Sequence, residues 1–370
     1  MSFRTHEWFY DYIYVLSANF IKINVIFLKT MQKTRNSNIE LLRIIAMIMI
    51  LGLHVNFLAL GVPNHQDIIS HPIPSFISFF AESLCIVGVN IFVLISGWFG
   101  INYKTKGLCS FLFQSLFFSL IIFIPFVLAG RIDINRINIM SPFLLYKNAY
   151  WFVWAYIVLY VLAPILNAFV EKSDKQTFKR VLILFFIIQT IASIFTNVGF
   201  YKAGYDPLSF IGLYLLARYY RLHIENKGKY IYIFIFILCA LLNTMACFLP
   251  PFVGINNGLM ISIAYMYTNP LNIIGALSLL LFFTKLNFKS KVVNYVATSC
   301  FAVYLLHMHF CISNYYINTA KELYDAFSGI TYFAAIIALF VAVFIVSILL
   351  DKIRIVCFNY LWNKYEKKHK

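Results

Sequence analysis

Ten apolar runs follow one another along this chain, each close to the roughly 20 residues a helix needs to cross the hydrocarbon layer of a membrane. They cover about residues 39–60, 76–99, 108–130, 149–170, 179–197, 207–222, 230–250, 258–284, 293–316 and 330–351. A backbone inside lipid must satisfy its own polar groups, and a helix does so within one segment. Turn residues fall between runs, at Pro63-Asn64, Asp206-Pro207, Pro250-Pro251 and Asn256-Asn257-Gly258. Pro125, Pro164 and Gly275 lie inside runs, where neighbouring helices can resatisfy the backbone. The expected fold is an all-α polytopic membrane protein, a bundle of about ten transmembrane helices.

Composition removes the competing classes. Hydrophobic residues make up 62% of the chain and charged residues only 12%, far from the balance of a soluble domain. No soluble interior of this size hides so much apolar surface. That excludes a soluble enzyme, a disordered chain and a disulfide scaffold. The seven cysteines lie in or beside apolar runs without a C-x-x-C pair, and read as small hydrophobes, with no metal site. The net charge of +16 points to cytoplasmic loops and an anionic leaflet, with no call for nucleic acid.

The charge distribution predicts the orientation. Of the 30 lysines and arginines, 24 fall in alternate loops that include the N-terminal tail, the Lys104/Lys106 loop and the C-terminal tail. The opposite loops hold five: Arg131, Arg136, Lys147, Lys202 and Lys321. Both termini are therefore expected on the cytoplasmic side. Without a cleavable leader, insertion is expected to rely on the first run as an anchor. Three segments are expected: an N-terminal extension over 1–38, a membrane domain over 39–356 and a basic cytoplasmic tail over 357–370. Within the extension, residues 8–28 mix aromatics with Asp11, Asn19, Lys22 and Asn24 and read as an interfacial helix, the alternative being an eleventh span. Met31 offers a second point at which translation could begin.

Ionisable side chains are costly in lipid and mark the first places to look for chemistry. Arg43 and His54 stand eleven positions apart in the first run. On a helix this is three turns plus roughly 20°, so both share one face, about 16 Å apart along the axis. Glu40 is one turn from Arg43 and can pair with it. A cation near the entrance and an imidazole farther in suggest a pathway, with an anion held at the mouth and a proton acceptor inside. The bland alternative is an arginine that snorkels to head groups and a histidine that satisfies a carbonyl. Further candidates are Glu82, Asn90 and Ser96 in the second run, Lys104 and Lys106 beyond it, Trp151 at the start of the fourth, and His307 in the ninth. Glycines beside Asn90 read equally as packing, the lysines as topology signals, and Trp151 as an interfacial aromatic. His307 and His309 are two apart, roughly 200° around a helix, so one regular helix cannot offer both to a single metal.

Four of these stretches together resemble the membrane acyltransferase family 3. Asn38-Ile39-Glu40-Leu41-Leu42-Arg43, followed after ten residues by His54, resembles its opening helix. Phe92-Val93-Leu94-Ile95-Ser96-Gly97-Trp98 resembles its second signature, Trp151-Phe152 with Leu159-Tyr160 and Pro164 a third, and Tyr304-Leu305-Leu306-His307 a fourth. The resemblance covers about residues 35–355. It implies a ten-helix protein of the cell (inner/plasma) membrane that acylates surface glycans, with acetyl-CoA or another acyl-CoA entering from the cytoplasm. The histidine at His54 is then needed for transfer, as general base or as a transient acyl carrier, and Arg43 supports the CoA end with Glu40 fixing it. Lys104, Lys106 and Ser96 stand near that donor end.

Departures are also visible. Against the family's pattern, Glu40 replaces an aspartate, Asn90 replaces an acidic residue, and Lys104 and Lys106 replace arginines; a lysine still neutralises phosphate but lacks the bidentate fork. The glutamate of many relatives' fourth helix is absent, and no soluble domain is expected after the tenth run. Two other readings fit ten helices with scattered polar residues. A transporter or flippase for lipid-linked sugars lacks the inverted repeat and paired broken helices that mark such sites. A glycan polymerase would need a larger outer loop than about 131–148. Tyr201, Tyr205, Tyr315 and Tyr316 are the aromatics available to stack on acceptor rings.

Overall fold

The computed structural model describes residues 35–144, 150–196, 203–225 and 228–369. The interfacial-helix and Met31 readings, with Lys147, Tyr201 and Lys202, lie outside the described residues. Those described form helices, and no strand occurs among them.

The chain runs through α1 (Ser37–Leu53), which passes into a π-helical turn at His54–Leu60, then α2 (Pro72–Cys85), α3 (Gly88–Phe99) and α4 (Thr105–Leu128). There follow α5 (Trp151–Lys172), α6 (Lys175–Phe195), α7 (Pro207–His223) and α8 (Lys229–Phe248). The last part holds α9 (Gly258–Ala264), α10 (Pro270–Thr284), α11 (Lys291–Ala297), α12 (Cys300–His307), α13 (Ser313–Ala326) and α14 (Gly329–His369). Side chains set several starts. Asp174 accepts from Gln176 N and Thr177 N at α6, and these donors, Thr177 first, hold its carboxyl below the ordinary carboxylate range. Asp206 and Asn269 cap α7 and α10, each ahead of a proline at the first helical position.

Seven helical stretches among the described residues are long and apolar enough to cross a membrane: Ser37–Leu60, Pro72–Phe99, Thr105–Leu128, Trp151–Lys172, Lys175–Phe195, Lys229–Val253 and Gly329–His369. The other three apolar runs take different forms. Run 207–222 is the 17-residue α7. Run 258–284 is broken between α9 and α10, because Asn269-Pro270 restarts the helix. Run 293–316 is split among α11, α12 and α13. The tenth run belongs to a 41-residue helix that passes without a break through residue 357, where the basic tail was expected to begin.

Outer faces are apolar. On α14, Ile330, Phe333, Ile337, Val341, Ile345 and Leu349 are exposed at three- and four-residue spacing, the stripe a lipid-facing helix presents. Inside, α3 is central, packing against α1, α7 and α10. Two glycines allow this approach. A Cβ at Gly88 would lie 2.8 Å from Ala46 O, and one at Gly97 within van der Waals overlap of the Tyr214 backbone. Small residues let helix backbones come together in this way.

Candidate active site

The first helix builds the site. Glu40 lies in the first turn of α1, where a carboxylate is favoured by the helix dipole. Its Oε2 lies 3.4 Å from Arg35 Nη1 and 3.7 Å from Arg43 Nε. Arg43, Met47, Ile50 and His54 then follow at spacings of four, three and four, forming one stripe. The expected common face of Arg43 and His54 holds because α1 stays regular up to Leu53.

The π-turn that begins at His54 is pinned from two sides. Asn56 Nδ2 donates to Ser78 O and to Glu82 Oε2, both at 2.9 Å, while Ser78 Oγ donates to Asn56 Oδ1 at 3.0 Å. Tyr316 donates its hydroxyl to Leu51 O at 3.0 Å. π-turns recur at functional positions, and this one presents the imidazole.

His54 lines a small cavity of about 40 Å³ between α1, α3, α5 and α12. Met47 and Ile50 join it from α1, Val89 and Phe92 from α3, Trp151 and Phe152 from α5, and Phe301 and Tyr304 from α12. Tyr267 enters from the break between α9 and α10. That break is itself held: Asn90 Nδ2 donates to Tyr267 O, and Tyr267 N donates to Ala203 O, both at 2.9 Å. The walls are apolar and aromatic, and among the described residues His54 is the one imidazole on them.

The remaining candidates separate into groups. His307 joins the site directly, with Nε2 3.0 Å from His54 Nδ1. Trp151 is a wall residue, its ring 4.6 Å from Tyr205 and 5.9 Å from Tyr267. Ser96 Oγ donates to Phe92 O at 3.1 Å and meets the Tyr156 hydroxyl at 3.1 Å. Tyr156 also stacks on Phe152, so Ser96 and Tyr156 form a polar pair behind the cavity walls Phe92 and Phe152. Glu82 is buried and bound to Asn56; it secures the turn below the imidazole. Asn90 secures Tyr267. Lys104 lies away from the cavity, its backbone bonded to the Tyr160 hydroxyl at 3.2 Å. Lys106 places its ammonium 5.6 Å over the Trp362 ring. His309 turns from the site, to Ser119 O at 3.1 Å and Cys311 N.

Sequence reasoning missed three contributors. Tyr267 and Tyr156 carry no motif, although Asn269-Pro270 signals the turn that admits Tyr267. The third is a pair of guanidiniums on α7. Arg221 donates to Trp98 O and lies 5.4 Å over the Phe99 ring. Arg218 sits against Gly100, and its buried Nε has no hydrogen-bond partner among the described residues. Both flank the end of α3, on the side toward Lys104.

A helical membrane protein with a histidine cavity above an arginine defines a class, and a family model described as an acyltransferase domain matches residues 36–352. The chain belongs to the acyltransferase 3 family and is a membrane acyltransferase. No curated protein and no solved structure matches it.

Proposed function

We propose that this chain is an O-acyltransferase of the cell (inner/plasma) membrane. It moves an acyl group, acetyl in the first instance, from cytoplasmic acyl-CoA to a hydroxyl of an extracytoplasmic or lipid-linked polysaccharide. One observation carries this reading: His54 stands in the wall of a narrow apolar cavity on the same helix stripe as Arg43. The phosphates of CoA call for cations, and charge-assisted hydrogen bonds from Arg43, Arg218 and Arg221 suit them. Lys104 and Lys106 add charge at the same end. The thin thioester arm then runs inward along the Arg43–His54 stripe.

At the imidazole, the acceptor hydroxyl gives its proton to His54 while its oxygen attacks the thioester carbonyl. The carbon–sulfur bond breaks, and the proton passes to the departing sulfur. A transient acyl-imidazole on His54 gives the same products in two steps. Apolar walls limit loss of the acyl group to water. At the opposite end of α5, Trp151, Tyr205 and Tyr267 offer faces and hydroxyls for a sugar ring. The excess of lysine and arginine in alternate loops supports a donor end that faces the cytoplasm.

The test is mass spectrometry of surface glycans from a deletion strain and its complement. Loss of a single acyl unit per repeat, restored by the complement, supports transfer. Unchanged glycans, with substrate-coupled flux of lipid-linked sugar into proteoliposomes lacking acyl-CoA, would favour a flippase.

A further inference from the structure

His54 and His307 come from opposite ends of the chain, yet their imidazoles meet edge to edge. The distance from His54 Nδ1 to His307 Nε2 is 3.0 Å. The other nitrogen of His307, Nδ1, lies 2.6 Å from the Val303 carbonyl oxygen. A carbonyl has no proton to give, so His307 Nδ1 carries the hydrogen and donates it. A neutral His307 then has its lone pair on Nε2, and His54 must donate from Nδ1. The opposite arrangement needs either a doubly protonated His307 or a bare nitrogen facing a carbonyl at 2.6 Å. Both are costly where His307 is buried among Tyr304 and Tyr316, with rings 6.3 and 5.3 Å away.

Among the described residues, no carboxylate competes for the His54 Nδ1 hydrogen. Glu82 is occupied by Asn56, Glu40 is with Arg35 and Arg43 at the far end of α1, and the Tyr316 hydroxyl is committed to Leu51 O. The bond to His307 takes one edge of the His54 ring and leaves Nε2 for the cavity that the ring lines.

Resting on the acyl-transfer reading, we propose that His307 is a positioning residue that locks His54 in its Nδ1–H tautomer, so that Nε2 is the nitrogen that reacts. The chain Val303 carbonyl, His307, His54 then does with a neutral imidazole what an orienting carboxylate does in a hydrolase triad. When Nε2 takes the proton of the acceptor hydroxyl, the imidazolium keeps its Nδ1–H bond to the His307 lone pair. His307 is polarised in turn by Val303 O, which spreads the charge without a buried anion. The proton leaves by the same nitrogen, to the thiolate released as the carbon–sulfur bond breaks, and the tautomer is restored.

The experiment has two arms. The first is 15N NMR of histidine-labelled protein in lipid at neutral pH, with the His54 signals assigned by comparison with His54→Gln. A protonated Nδ1 and a pyridine-type Nε2 are expected; an Nε2–H tautomer overturns the proposal. The second compares His307→Gln and His307→Leu for surface acetylation at matched membrane levels. Glutamine can accept from His54 and should stay within about 10-fold of the unmodified protein, while leucine should lose about 100-fold or more. Equal activity of the leucine variant overturns the proposal; if that variant is absent from the membrane, the spectrum of the unmodified protein decides. The expected tautomer in a protein that moves no acetyl group from acetyl-CoA would support the lock and count against the acyl-transfer reading.

Discussion

The two ends of the short helix α12 each meet a buried polar cluster, and the clusters are built on opposite principles. Beside its start, Asp351 of α14 is fully buried and saturated. Its carboxylate accepts from Gln114 Nε2 at 2.9 Å, Ser299 Oγ at 2.8 Å, and Arg354 Nε and Nη2 at 2.9 and 2.5 Å. Lys352 is bonded to Thr298 at 2.8 Å and lies 4.0 Å over the Tyr295 ring. At the other end, His307 is bonded on both edges, to Val303 O and to His54, while His54 is bonded through Nδ1 and its ring lines a cavity. A saturated cluster fixes helices; a cluster with a nitrogen left over can do chemistry. The same helix thus carries a structural anchor and a reactive edge eight residues apart.

Substitutions should separate the two clusters. The largest stability effect is expected at the anchor. Asp351→Ala leaves Arg354 buried without its partner, which typically costs about 3–5 kcal/mol. Thermal unfolding in detergent should show it, with activity and folded protein falling together. A variant with unchanged stability would mean that α14 is held by its apolar contacts alone.

Arg43 should behave differently. Its one ion pair among the described residues, to Glu40, is loose at 3.7 Å and its side chain is 34% exposed, so Arg43→Gln should leave stability nearly unchanged. It should raise the KM for acyl-CoA about 10-fold or more, by loss of a charged hydrogen bond worth about 1.5–3 kcal/mol. Saturation kinetics with acetyl-CoA would check this, and a fall in kcat at constant KM would instead place Arg43 at the reacting atoms. The smallest effect is expected at Lys106, where Lys106→Ala removes a cation–π contact with Trp362 worth about 0.5–1 kcal/mol. The same kinetic series should change less than about 5-fold; a change as large as that of Arg43 would move the donor site toward α14.

The sequence made the Arg43–His54 stripe legible because both residues belong to one unbroken helix, where period alone fixes direction. Glu40 beside Arg43 was legible for the same reason. The meeting of His54 with His307 was not, since residues 253 positions apart are joined only by tertiary packing. Glu82 shows the limit more finely. As an ionisable residue in the second run it stood out as a candidate, but nothing in the spacing showed its partner, which is Asn56 in the π-turn two residues beyond His54. Hydropathy also ran through Asn269-Pro270 and through residues 308–312, where apolar side chains hide breaks in the backbone. Those breaks bring Tyr267 into the cavity and end α12 at His307, so much of the site's geometry lies where the apolar pattern is least informative.

The central claim is that the His54 imidazole handles the acyl group inside this cavity. The direct measurement is acetyl content of surface glycans in cells carrying His54→Ala or His54→Gln at membrane levels equal to those of the unmodified protein. Acetylation reduced by about 100-fold or more in both variants is the expected result. Full acetylation in either would contradict the account.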